Sequence, residues 1–118
     1  MKNRALIEGL LCDHDTELSH LECDGFTRVA HYTLKTNGVQ HRCFQGTVTI
    51  GDKTIPHWWI RSGKLTVDFR LRRWFPEAAN VPHGVFDATK FPDVQYEGEE
   101  IQLNVPSVMY DILTRATA

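Results

Sequence analysis

The chain has no long apolar run. Nothing in its 118 residues approaches the roughly 18 consecutive apolar positions a membrane helix requires, so no membrane partner is expected. It also lacks a block of one charge. Thirteen Lys and Arg stand dispersed against 15 Asp and Glu, which argues against a nucleic-acid binder and against a disordered tail. Cysteine is scarce: three, an odd number, with no C-x-x-C pair and no even spacing, so no disulfide framework is expected. Repeats, low-complexity segments and linkers are missing as well. The opening "MKNRALIEGLLCDHD" is interrupted by Glu8 and followed by no small-residue cleavage site, so it reads as an amphipathic helix and not as a leader. The expectation is one domain over residues 1–118, cytoplasmic, with reduced thiols and a single core.

What is present changes period along the chain. "NRALIEGLLC" puts apolar residues at 6, 7, 10 and 11, one face of a helix, and a polar stretch "DHDTELSH" follows. "CDGFTRVAHYTLKTNG" carries Phe26, Val29, Ala30, Thr33 and Leu34 on one stripe, with Gly38 placed to end the helix in a left-handed conformation. From residue 39 the pattern alternates: "VQHRCFQGTVTI", "TIPHWWIR" and "KLTVDFRLRRWF" read as three strands. "PEAANVPHGVFDATKFPD" reads as loop, "EEIQLNV" as a short further strand, and "SVMYDILTR" as a helix capped by Ser107. Helices followed by an antiparallel meander predict an α+β fold, with N-terminal helices packed on an antiparallel sheet.

"IPHWWIRSGKLTVDF" contains the most informative pair of residues. A turn centred on Ser62-Gly63 sets Arg61 against Lys64, Ile60 against Leu65, Trp59 against Thr66, Trp58 against Val67 and His57 against Asp68. Trp58, Ile60, Leu65 and Val67 then share a core face, and His57, Trp59, Thr66 and Asp68 share the other. Opposed side chains have Cβ atoms about 4.5–5.5 Å apart, within reach of an imidazole–carboxylate hydrogen bond. Such a carboxylate fixes the ring's tautomer and supports the imidazolium. A plain stabilising His–Asp pair fits the hairpin equally well. Trp59 beside it would wall off water or stack on a substrate.

A His–Asp pair serves a serine, a cysteine or a metal. Cys23 stands where the second helix begins, where the dipole lowers a thiol's pKa and free N–H groups await an oxyanion. Glu22 and Asp24 oppose a thiolate unless they point away. Cys43 lies mid-strand and Cys12 at a helix end, without that assistance. The alternative for Cys23 is a small buried hydrophobe.

"CDGFTRVAHYTLKTNGVQHRCFQGTV" followed by "IPHWWIRSGKLTVDF" resembles the core of the transglutaminase-like branch of papain-fold cysteine enzymes. The elements are a cysteine opening a helix, Gly38-Val39 leading into a strand, Gly46 within it, a strand with His57 and Trp59, and Asp68 on the next. The likeness covers roughly residues 20 to 75, and the order Cys, His, Asp agrees with the family; Asp24 replaces the aromatic residue many members have after the cysteine. The resemblance implies a papain-like core and a Cys23–His57–Asp68 triad that attacks an amide or ester carbonyl of a protein or peptide, without cofactor or metal. Substrate-side candidates are Trp59 and, as a side chain completing the oxyanion hole, Ser19 or His20. The alternative is a non-catalytic protein-binding module, a phage or plasmid accessory or inhibitor protein, that uses the Trp59 face.

Three further patterns carry less. "CDHD" at 12–15 with His20 and Cys23 fits no zinc spacing. His41 and Cys43 share one side of a strand, as a chance pair would. "RLRRW" at 70–74 is a basic cluster able to meet phosphate or an acidic partner, and His83 lies in a loop that could border a cleft.

Overall fold

A computed structural model describes residues 2–115. Among these, three helices and a five-stranded antiparallel sheet form an α+β fold. The chain runs α1 (Lys2–Glu17), α2 (Cys23–Thr36), β1 (Arg42–Ile50), β2 (Lys53–Ser62), β3 (Leu65–Asp68), β4 (Gly84–Asp87), β5 (Val94–Ile101) and α3 (Ser107–Arg115). The strands lie in the order β4-β3-β2-β1-β5. None of the described helices is long and apolar enough to cross a membrane.

The second helix forms as its stripe predicts: Phe26, Val29, Ala30, Thr33 and Leu34 are all buried. It ends in a Schellman motif. Gly38, at φ 72°, donates its N–H to Lys35 O, and Val39 donates to Leu34 O, while the Val39 and Leu34 side chains enter the same core.

Helix α1 is longer than its apolar spacing suggests. The polar "DHDTE" continues the helix to Glu17 because its inward-facing polar groups find tertiary partners. Ile7 and Leu11 are fully buried, and one further turn along the same face Asp15 meets Arg70 and His83.

The β2–β3 hairpin departs from the expected register. Ser62 pairs with Leu65, Arg61 with Thr66 and Ile60 with Val67, so the two-residue turn is Gly63-Lys64, with Gly63 at φ 59°. The slip is two residues and therefore keeps every side chain on its face. Continuing this register sets Asp68 opposite Trp59 and diagonal to His57. Strand β3 also stops at Asp68, far short of the expected Phe75. The Asp68 carboxylate accepts the N–H groups of Arg70 and Leu71, both at 3.0 Å, which turns the backbone into a 3-10 turn at Leu71–Arg73.

Two further corrections concern the C-terminal half. The "loop" after residue 76 contains β4, which pairs with β3, and a 3-10 turn at Ala88–Lys90. The last strand is Val94–Ile101, not residues 99–105, and it returns across the sheet to pair with β1.

The sheet is covered on both faces. The helices pack on Cys43, Ile60, Leu65, Val67 and Val85. On the opposite face Val48, Ile55 and Trp59 pack under Leu71, Phe75 and Val81 from the long connection. Trp59 is thus the more buried of the two tryptophans, at 3 % exposure, while Trp58 is half-buried with the Arg28 guanidinium over its ring.

Candidate active site

Cys23 is the first residue of α2 and is half-buried. Glu22 before it is extended (φ −81°, ψ −174°) and gives no side-chain cap, and the first helical bond comes from Phe26 N–H to Glu22 O. The N–H groups of the first turn therefore have no helical acceptor. The two acidic neighbours face other cations: Glu22 meets Arg73 and Asp24 meets Arg28, both at 3.4 Å.

His57 is 1 % exposed, on the strand face that also carries Trp59. Its Nε2 lies 2.8 Å from Asp68 Oδ2. The diagonal placement explains the choice of nitrogen, because the ring must reach along the sheet with its far atom. Asp68 is saturated as an acceptor: Oδ2 also takes the Tyr96 hydroxyl at 2.8 Å, and Oδ1 takes the N–H groups of Arg70 and Leu71. A carboxylate with four hydrogen-bond partners is fixed in place and keeps its tautomer-setting role.

The near nitrogen, His57 Nδ1, is buried without a hydrogen-bond partner. No hydrogen bond of good geometry links it to Cys23, yet the sulfur is close enough to act on the ring. Burial opposes a charged imidazole here, but Asp68 and Cys23 together outweigh it and raise His57 to about 9. His83 Nδ1 is the other orphaned atom of this kind among the described residues; its ring meets the Phe69 ring edge-on, and its Nε2 bonds Asp15.

Arg70 brings the two halves together. It is 2 % exposed, and its guanidinium donates to Leu21 O at 2.7 Å, Leu18 O at 2.9 Å, Phe69 O at 2.9 Å and Asp15 Oδ1 at 2.9 Å, and stacks over Phe26. The segment that delivers Cys23 is thereby tied to the residue two places after Asp68. Cys23, Trp58, Asp68 and Arg70 line one narrow crevice.

The wall behind His57 depends on two glycines. Gly46 pairs with both His57 and Gly98, and a Cβ on it would collide with Glu97 O. A Cβ on Gly98 would lie 2.8 Å from the Trp59 ring and 2.5 Å from Gln45 O. Their absence lets β5 close over Trp59, which packs edge-on against Tyr96 with centroids 4.9 Å apart.

The other candidate residues have partners within the fold. Trp59 is enclosed by Phe44, Tyr96 and the long connection, so it excludes water and offers no stacking surface. Ser19 is exposed and contributes its carbonyl to Arg73, and His20 bonds Leu113 O at 3.1 Å; neither side chain is hydrogen-bonded to Cys23 or His57. The basic cluster is engaged internally: Arg70 is buried, Arg72 bonds Val81 O, and Arg73 bonds Ser19 O and Leu21 O. Cys43 is buried, and burial with the nearby Glu100 pushes its thiol up to about 12.

Tyr96, Arg70 and Asp15 escaped the sequence reading. The alternation of Val94, Tyr96 and Gly98 was a signal for the first. An arginine inside an apparent basic patch gives no sign that it is buried.

No protein-family model, curated protein or solved structure matches the chain.

Proposed function

We propose that the chain is a small cysteine-dependent hydrolase or acyltransferase acting on amide bonds, built on a papain-like core of the transglutaminase-like kind. Cys23 is the nucleophile, His57 the acid–base group and Asp68 its orienting partner. The observation that carries the reading is the polarity of the His57 ring: Nε2 is held by a saturated carboxylate, Nδ1 is buried and unpaired, and Cys23, at a helix N-terminus, acts on the same ring. An orphaned buried nitrogen is costly. A proton exchanged with Cys23 gives it a purpose.

In this mechanism the Cys23 thiol proton passes to His57 Nδ1 and the thiolate attacks the carbonyl carbon. The oxyanion is held by first-turn N–H groups of α2. Collapse returns the Nδ1 proton to the leaving amine and leaves a thioester. Water, deprotonated by Nδ1, then releases the acid, or an amine takes the acyl group. The narrow crevice beside the half-buried Cys23 suits an extended peptide or an exposed side-chain amide, because a small-molecule site needs an enclosing cavity. The burial of Trp59 favours this reading over a binding module that displays that ring.

The test is iodoacetamide alkylation against pH, read at Cys23 by peptide mass mapping. Wild type is expected to react at about pH 6, and His57→Ala to lose up to about 300-fold at that pH, the thiolate deficit of a free thiol of pKa about 8.5. A wild-type sulfur that stays inert until about pH 8.5 sinks the reading.

A further inference from the structure

A second histidine–cysteine cluster lies away from the crevice. His31 comes from the middle of α2, and His41 and Cys43 come from the entry into β1. His31 Nδ1 is 2.7 Å from His41 Nε2 and 3.6 Å from Cys43 Sγ, and all three donor atoms lie within 4.8 Å of one another. No other such group of three or more His, Cys, Asp or Glu exists among the described residues.

The orientation of His41 is set from outside the cluster. Its Nδ1 donates to Val39 O at 2.8 Å, so Nε2 carries the lone pair and points inward. A backbone carbonyl that fixes the outer nitrogen is the usual support of a metal-binding imidazole. A tetrahedral ion about 2.05 Å from nitrogen and 2.3 Å from sulfur puts its N and S ligands about 3.6 Å apart, as His31 and Cys43 already stand. Its two nitrogens would lie about 3.3 Å apart, which asks the half-buried rings to separate by about half an ångström. His41 also borders an open cleft lined by Gln40, Arg42, Phe44, Arg61 and Gly63, so one member of the cluster reaches the surface.

We propose that His31, His41 and Cys43 form a three-ligand site for a borderline-soft divalent metal, Zn²⁺ in the first instance, with a solvent molecule in the fourth position. Two imidazoles and a thiolate with no carboxylate select against Mg²⁺ and Ca²⁺. The bound ion would clamp α2 to β1 across the Gly38 turn, the same helix whose first residue is Cys23.

The full chain, stripped with a chelator, is titrated with Co²⁺ and followed by the sulfur-to-cobalt charge-transfer band and the visible bands of a tetrahedral ion. One equivalent is expected to saturate both, with displacement by Zn²⁺. The bands should persist in Cys23→Ser and vanish in Cys43→Ala. His41→Gln, at a half-exposed ring, should abolish the tetrahedral bands with an unchanged circular dichroism spectrum, and it decides the matter if Cys43→Ala disturbs the core. Absence of the bands in wild type, persistence in both Cys43→Ala and a folded His41→Gln, or loss in Cys23→Ser would each overturn the proposal.

Discussion

Among the described residues cysteine meets histidine twice, and the two encounters have opposite electrostatics. At the crevice a carboxylate holds the far side of His57, and Asp68 and Cys23 together raise the ring to about 9 in spite of burial. At the α2–β1 junction no carboxylate among the described residues is hydrogen-bonded to the rings. Burial, with His41 and Lys35 nearby, lowers His31, and burial holds the Cys43 thiol up near 12. The surroundings therefore push His57 toward its charged form in one place, and His31 and Cys43 toward their neutral forms in the other. What separates the two settings is the carboxylate of Asp68, not the cysteine or the histidine.

The sharpest way to break this contrast is Asp68→Asn. Burial would then act on His57 with its main opponent gone, so the imidazole's NMR titration midpoint should fall well below 9. Turnover on any amide substrate should drop by about a hundred- to ten-thousand-fold, the usual worth of a correctly held acid–base group. A midpoint that stays near 9 would show that Asp68 does not set the polarity of the site.

Arg70→Ala is expected to cost about 3–5 kcal/mol in denaturant unfolding, because it leaves Asp15 without its buried cation and Leu18 O and Leu21 O without their donor. Cys23 reactivity at low pH should fall with it, since the segment before α2 loses its anchor. Unchanged stability would mean that water can replace the guanidinium.

Tyr96→Phe should have the smallest effect, about 1–2 kcal/mol for one hydrogen bond to a carboxylate. With that donor gone the Asp68 charge is less neutralised, so the His57 midpoint should move slightly up. A downward shift would show that the hydroxyl positions the carboxylate more than it screens it.

Local patterns in the chain were read well where the physics is local. The α2 stripe and the Gly38 terminus follow from period and capping. The Ser107–Arg115 helix follows from period, but its first helical bond runs from Tyr110 N–H to Pro106 O, so Ser107 is its first residue and not its cap. The pairing of His57 with Asp68 on one face tolerated an error in the turn, since a two-residue slip preserves parity. Misreadings came where a polar residue acted at long range. "DHDTE" looked like the end of a helix because the partners of Asp15, Arg70 and His83, lie 55 and 68 residues away. Strand β3 looked long because nothing in "VDFRLRRWF" announces that Asp68 will fold back on its own backbone.

By itself, the sequence determined the α+β class, the helix that opens at Cys23, and the face shared by His57, Trp59 and Asp68, all of which follow from short-range periodicity. Only the tertiary structure decided that Trp59 is enclosed and not displayed, that Arg70 ties the Cys23 segment to Asp68, and that His31 meets His41 and Cys43. Each of these depends on which distant groups share a dry interior, where a charge must find its partners and a ring must find its neighbours.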